Sequence, residues 1–339
     1  MCYKADKHRH LSLTLSEKLK DVPDFISEFF DRYKSAATKN SNWGYIRDLL
    51  QWLIEKNYIK REDISQITTE DMDKITSNHV IKYFEDLEIG LTRKKNSLES
   101  INTKKSVFGA FWGYLFKRKY VSENIIQDDN LKLRFKSEVT QKQVIIPTDE
   151  QVEEFICNLN DGNGNEFNII RNITIVKLIM GSGIRSEELI NMDIGDLYLN
   201  GGEYLPNRYT TKPFIKVLGK GKKEVYDFVF ISQEAKQYVE DYLIQRDIFV
   251  RENNIVDNAL FLSNERRRMS KTAITNFFTR YSTDVNPHQL RHWVGTKLYE
   301  KTKDIVLVQK QLRHSSLETA AKYYVHMSED SIADAMASL

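Results

Sequence analysis

A polar, basic stretch runs from Asp128 through Lys132, Arg134 and Lys136 to Lys142 and divides the chain into two halves of different pattern. It has no apolar periodicity, so it offers no face to bury and reads as an inter-domain linker ending at Pro147. Before it, apolar residues recur at helical spacing. Phe25, Phe29, Phe30 and Tyr33 make one face, and Trp43, Ile46, Leu49, Leu50, Trp52 and Leu53 a second. Ile81, Tyr83, Phe84 and Leu87 mark a third helix, and Ser106, Phe108, Phe111, Trp112, Tyr114, Leu115 and Phe116 belong to a long fourth. This half is a helical bundle of about 110 residues, a size that folds alone.

After the linker the pattern is mixed. Thr148-Asp149-Glu150-Gln151 is a capping box that starts a helix through Val152, Phe155 and Ile156. Helical patterns cover 167–180, 185–192, 232–251, 271–281, 288–300, 303–311 and 316–326. Phe214 to Leu218, a Gly/Lys turn, and Val225 to Ile231 alternate as a β-hairpin, and any strand near 260–263 is short. The expected fold is mainly α with a small β-hairpin or sheet. Its organisation is a flexible segment 1–20, a helical domain 21–127, a linker 128–146, a second domain 147–326 and a tail 327–339. Of the tryptophans, Trp43, Trp52, Trp112 and Trp293 are expected in cores.

Several classes are excluded or left open by composition. Cys2 and Cys157 cannot make a disulfide framework, and Cys157 is expected to pack in a core. The first residues have no apolar run resembling a signal peptide. The best membrane-span candidate, Ile169 to Met180, is broken by Arg171 and Lys177, so a cytoplasmic protein is expected. Lys plus Arg is 50 against 48 for Asp plus Glu, a net charge of +2. Binding to nucleic acid would therefore rest on segregated charge, not on global excess.

Five segments of the second half carry residues suited to chemistry at a phosphate. Gly183-Ile184-Arg185-Ser186-Glu187-Glu188-Leu189 puts an arginine at a loop-to-helix junction, and Gly219-Lys220-Gly221-Lys222-Lys223 forms the hairpin turn. Pro287-His288-Gln289-Leu290-Arg291-His292 and Leu312-Arg313-His314-Ser315-Ser316 follow, and then Tyr323 and Tyr324. Guanidinium groups grip a phosphate bidentately, Lys or His can move a proton, and a phenol can act as a nucleophile. Each segment alone has a plainer reading. Arg185 with Glu188 could be a surface ion pair, Lys220 a solvated charge, and His288 or His314 part of a helix start.

Taken together, in identity, order and spacing, these segments resemble the tyrosine recombinase (phage integrase) family over residues 147–326. The first half resembles that family's helical core-binding (SAM-like) domain by architecture, not by motif. The resemblance implies an α+β catalytic domain and a site-specific DNA recombinase that cuts and rejoins DNA through a 3′-phosphotyrosine, with no metal, ATP or other cofactor. It implies that Arg185 and Arg291 clamp the scissile phosphate, that Glu188 supports the wall of the site, and that Lys220 protonates the leaving 5′ oxygen. His288 would give acid/base support and His314 would hydrogen-bond the phosphate. The nucleophile is expected at Tyr323, nine positions after His314, with Tyr324 as the alternative because Tyr324-Val325-His326 fits the family's Tyr-x-His. Both cannot face one phosphate, since successive helical residues point about 100° apart. At Arg313 relatives usually have Gly; the arginine would add a phosphate contact or be exposed.

The resemblance also implies double-stranded DNA with paired inverted-repeat sites as partner, a C-shaped clamp of two domains around it, and a tetramer in the synaptic complex. The tail, with Ile332, Ala333, Met336 and Leu339 as an apolar stripe, would dock on a neighbouring protomer or on its own. Expected DNA contacts are Lys94, Lys95, Lys104 and Lys105 at the long helix, Lys132 and Arg134 in the linker, Lys222 in the hairpin turn, and Arg266 and Arg267, which could instead sit in a solvated turn. A segment of about 20 residues before the first domain is too short for a further arm-binding domain, which suits an Xer-like recombinase or a compact mobile-element integrase or transposase. No membrane partner is expected, and location would be cytoplasmic and nucleoid-associated. A type IB topoisomerase and a non-catalytic DNA-binding protein of the same fold are the alternatives.

Overall fold

The computed structural model describes residues 3–91, 93–127, 129, 131, 145–162, 165–218, 226–282 and 284–314. The chain divides into two compact units, Met1–Lys142 and Gln143–Leu339. Lys132, Arg134, Lys220, Lys222, Tyr323, Tyr324 and the tail 327–339 lie outside the described residues.

The first unit is helical: α1 (Tyr3–Leu19), α2 (Asp24–Ser27), α3 (Ala36–Glu55), α4 (Thr69–Asp73), α5 (Ser77–Ile89) and α6 (Leu98–Lys117). The expected flexible 1–20 is instead mostly helix α1, which packs against α3. Leu15 enters the core there, and Asn40 Nδ2 of α3 donates to the Leu11 carbonyl at 3.0 Å. The core is aromatic, with Phe29, Phe30, Trp43, Trp52, Tyr83, Phe84, Phe108, Phe111 and Trp112 all buried. Each such side chain contributes about 1.5–3 kcal/mol of burial. Trp52 Nε1 donates to Asp86 Oδ2 and the Tyr83 hydroxyl to Asp48 Oδ2, both at 2.6 Å, whereas Trp43 Nε1 and Trp112 Nε1 are buried without a hydrogen-bond partner among the described residues.

The second unit adds α7 (Asp149–Asn160), α8 (Glu166–Ser182), α9 (Ser186–Asn191), α10 (Gln233–Glu252), α11 (Lys271–Tyr281), α12 (Pro287–Thr302) and α13 (Ile305–Leu312). Between α9 and α10 run five short strands: β1 (Leu197–Tyr198), β2 (Gly202–Leu205), β3 (Arg208–Thr210), β4 (Phe214–Leu218) and β5 (Tyr226–Phe230). Antiparallel pairing gives one sheet in the order β1-β4-β5 and a separate β2-β3 pair. The β4–β5 register runs from Phe214 opposite Phe230 to Leu218 opposite Tyr226.

The apolar run that resembled a membrane span is the central helix α8, and no helix among the described residues is long and apolar enough to cross a membrane. It is buried on nearly all sides, with Ile175, Val176, Leu178 and Ile179 in the core. Its Arg171 is buried too, donating to the Leu262 carbonyl at 2.8 Å and to Asn172 Oδ1 at 3.0 Å. The Thr148 capping box forms as expected: Thr148 N donates to Gln151 Oε1 at 2.9 Å, and Gln151 N to Thr148 Oγ1 at 3.3 Å. Cys157, expected in a core, is exposed, because the buried stripe of α7 runs through Val152, Phe155 and Leu159 and leaves it on the other face. Trp293 packs at the edge of the small core cluster of Val294, Val308 and Leu312. It is half-buried and its Nε1 donates to Asp149 Oδ1 at 2.7 Å, tying α12 to the start of α7.

Candidate active site

The end of α8 builds the first part of the site. Gly183 ends the helix at φ +68°, in the left-handed region, and a Cβ there would lie 2.3 Å from Leu312 Cδ2. Only glycine allows both the turn and the close approach of α13. Ile184 then anchors in the core, and Arg185 stands at the N-terminal boundary of α9. Glu188 reaches back from the first turn of α9. Its Oε2 accepts from Arg185 N at 2.8 Å and its Oε1 from Arg185 Nη1 at 2.8 Å. The Arg185 side chain keeps 33% exposure while that of Glu188 keeps 5%.

Helix α12 supplies the second part. Asn286 caps it, accepting from His288 N and Gln289 N at 3.0 Å, and Pro287 fits the first turn. His288 and His292 share a face one turn apart, with their Nε2 atoms 3.0 Å apart. Arg291 is buried and donates to the carbonyls of Gly183 and Leu312.

The turn after α13 joins the two. Arg313 adopts φ +55° and ψ +48°, and His314 N closes the turn on the Gln309 carbonyl at 3.1 Å. Arg185 Nη2 donates to the Arg313 carbonyl at 2.9 Å, next to the Leu312 carbonyl held by Arg291. The left-handed conformation accounts for the glycine of the resembling sequences at this place. The Arg313 side chain is neither exposed nor turned to solvent: it is 10% exposed and pairs with Glu188 Oε2.

The electrostatics of the cluster are those of an anion site. Two guanidinium groups, of Arg185 and Arg313, face one carboxylate, Glu188, and a third, of Arg291, is buried on the carbonyls of Gly183 and Leu312. Burial pushes the Glu188 carboxyl up, but the Arg313 charge, the Arg185 N–H and the Arg185 charge together hold it below its ordinary value. Burial, then Arg291 and Arg185, lower His288. The same causes bring His314 down to about 4, and burial, His288, Arg291 and His314 bring His292 to about 4. Each imidazole is thus neutral at pH 7, able to donate from one nitrogen and accept at the other.

The sequence model of the phage integrase family matches residues 147–330, more than half of the chain and all of this cluster. The chain belongs to the phage integrase family. It is a tyrosine recombinase, an enzyme of site-specific DNA recombination. The tyrosine recombinase XerS of Streptococcus pneumoniae (strain Hungary19A-6) is 27% identical to it over 369 aligned residues, with 98% of this chain and 99% of the relative covered. XerS of Streptococcus mutans serotype c is 27% identical with the same coverage. Among solved structures, XerH site-specific recombinase bound to difH substrate has a similar fold, with a TM-score of 0.60 at 20% identity over 89% of this chain and 79% of that one. The Tn1549 transposon integrase in complex with circular intermediate DNA has a TM-score of 0.61 at 16% identity, covering 97% and 99%.

In this recombinase, Arg185, Glu188, His288, Arg291 and His314 come together in one cluster. Two residues of the cluster were not among the expected site residues. His292 was findable by its helical spacing from His288; the buried role of Arg313 had no sequence signal. The expected DNA contacts divide. Lys94 and Lys95 are exposed, and Lys105 is half-buried, with Nζ on the Leu131 carbonyl at 3.2 Å. Lys104 is corrected: it is buried, 3.8 Å from Asp48 and over the rings of Tyr45 and Tyr83, because its position on α6 falls in the apolar stripe of Ile101 and Phe108. Arg266 and Arg267 are exposed, Arg267 pairing with Glu265. Their neighbour Arg268 turns inward to the carbonyls of Ile190 and Met192 at 2.9 and 2.8 Å.

Proposed function

We propose that the scissile phosphate of DNA binds at the turn preceding His314, between Arg185 and Arg291, and that Tyr323 attacks it. Arg185 holds the phosphate from its exposed edge and Arg291 adds positive charge from the floor. His314, neutral, donates a hydrogen bond to a phosphate oxygen, and His288 assists proton transfer to and from the nucleophile. The Tyr323 oxygen bonds to phosphorus as the bond to the 5′ oxygen breaks, and Lys220 gives that oxygen its proton. The products are a 3′-phosphotyrosine and a free 5′-hydroxyl. The 5′-hydroxyl of a partner strand reverses the step, since the energy of the phosphodiester is kept in the phosphotyrosine.

The observation that carries this reading is the seating of both guanidinium groups on consecutive carbonyls of one turn. The test is cleavage of a nicked suicide substrate. Arg185→Ala should slow covalent adduct formation by about 10²–10³-fold while DNA binding persists. An unchanged rate rejects the reading.

Double-stranded DNA bearing inverted repeats is the proposed substrate, with four protomers in the synaptic complex. Lys94, Lys95, Lys105, Arg266 and Arg267 are the proposed backbone contacts among the described residues. The second unit carries an open cavity of about 930 Å³ between β5, α12 and α13, lined by Phe230, Trp293, Val294, Leu298, Val306 and Leu307. Its exposed apolar rim, with Phe230, Val306 and Leu307, suits the apolar stripe of residues 327–339 of a neighbouring protomer.

A further inference from the structure

We propose that Arg313 is a positioning residue that holds Arg185 in place and supplies the counter-charge for Glu188, without touching DNA itself. The inference rests on the reading of Arg185 as the phosphate-binding group.

Three observations carry it. The first is what Arg313 forgoes. A non-glycine residue at φ +55° is held in a conformation that glycine adopts freely. Its guanidinium is taken from water, and its Nε is buried without a hydrogen-bond partner. A buried charge persists only where a partner compensates it, and the partner here is Glu188, itself 5% exposed.

The second is geometric. Arg313 holds Arg185 from two sides. Its carbonyl accepts from Arg185 Nη2 at 2.9 Å, and its guanidinium fixes the carboxylate that accepts from Arg185 Nη1 at 2.8 Å. Arg313 Nη1 donates to the Gln311 carbonyl at 3.0 Å, so its own fork is braced by the turn that carries His314. A long, flexible arginine is thereby reduced to one orientation at the site edge.

The third is electrostatic. A carboxylate bonded to Arg185 alone would cancel the charge that a phosphate must meet. With Arg313 on the same carboxylate, Glu188 can brace Arg185 and the cluster stays positive. Asp227 of β5 also faces Arg313, and the guanidinium group of Arg185 completes the surrounding charges.

The test uses the full-length protein and a nicked suicide substrate at saturating DNA, with the dissociation constant measured separately across salt concentrations. Arg313→Gly should slow single-turnover cleavage by about 10²-fold, the effect of displacing a positioned group by about 1 Å. Its affinity for DNA and its salt slope should match those of the wild type, and Arg313→Lys should recover most of the rate by restoring the charge beside Glu188. Arg313→Gln keeps the size without the charge; it serves in place of the glycine variant if that one does not fold, and should be as slow. Wild-type cleavage by Arg313→Gly or Arg313→Gln overturns the inference. So does a salt slope lower by about 1, which marks a direct phosphate contact, or a Lys variant as slow as the Gly variant. Arg185→Ala separates the two readings: if it cleaves normally, the phosphate site itself is wrong, and if it is inactive while Arg313→Gly is not, only the role of Arg313 falls.

Discussion

Arg185 and Arg291 donate to consecutive carbonyl oxygens, those of Arg313 and Leu312, so two arginines from distant parts of the chain are locked to the same turn. Arg291 also donates to the carbonyl of Gly183, two residues before Arg185, which closes the arrangement into a ring of backbone contacts. The site is therefore rigid at its floor and open at the Arg185 edge.

Gly183→Ala tests that rigidity. The added methyl meets Leu312 at 2.3 Å in a backbone conformation unfavourable for alanine. The expected loss is about 2–4 kcal/mol, read as a lower thermal midpoint of the second unit. Leu312→Ala in the same chain should recover part of it, giving a non-additive double mutant.

Stability should depend on pH through the histidines. His292 and His314 titrate near 4 in the folded chain against an ordinary 6.5, so the unfolded chain takes up more protons between those values. The stability they contribute is complete above pH 6.5 and is lost as pH falls toward 4. Denaturation midpoints should drop from pH 7 to pH 5, and His292→Gln should flatten that slope. An unchanged slope would show that the imidazole is not held neutral.

Arg267 and Arg268 are adjacent, and their substitutions should separate. Arg268→Ala removes the donor to the Ile190 carbonyl, one of two donors to the Met192 carbonyl, and the ion-pair partner of Asp193, and should cost about 2–3 kcal/mol of stability. Arg267→Ala, at an exposed pair, should leave stability within about 0.5 kcal/mol and lower the salt slope of DNA binding by about 1. Equal effects on stability would contradict the assignment.

The tail and its groove should behave as one unit. Ending the chain after Met327, or placing a charge in the groove with Leu307→Asp, should leave single-site binding intact and weaken synapsis. Full tetramer formation in gel shifts by the truncated protein would show that the tail is not the link.

Much of this architecture is written in local pattern. The hairpin 214–218 and 226–230 follows from alternation, and helix 271–281 from a serine cap and an apolar stripe. Lys104 and Cys157 show the same rule read too loosely. Helical phase puts the first in line with Ile101 and Phe108 and the second off the stripe of Val152, Phe155 and Leu159, so both outcomes were available to a stricter count. The pairs β1–β4 and β2–β3 left no signal, being two to four residues long. The pattern of the site was legible as motifs, but its closure was not. That Arg313 turns in to Glu188 depends on the left-handed turn after α13 and on how closely Gly183 lets that helix approach, which are facts of packing.

Mapping the covalent protein–DNA adduct tests the central claim most directly. A suicide substrate is cleaved, the adduct is digested, and the nucleotide-bearing peptide is sequenced. The label is expected on Tyr323, with Arg185→Ala and Arg291→Ala both forming it about 10²–10³-fold more slowly. Label on Tyr324 would move the nucleophile by one position, whereas label on any residue outside that pair, or full labelling in either arginine variant, would contradict a phosphate held at this turn.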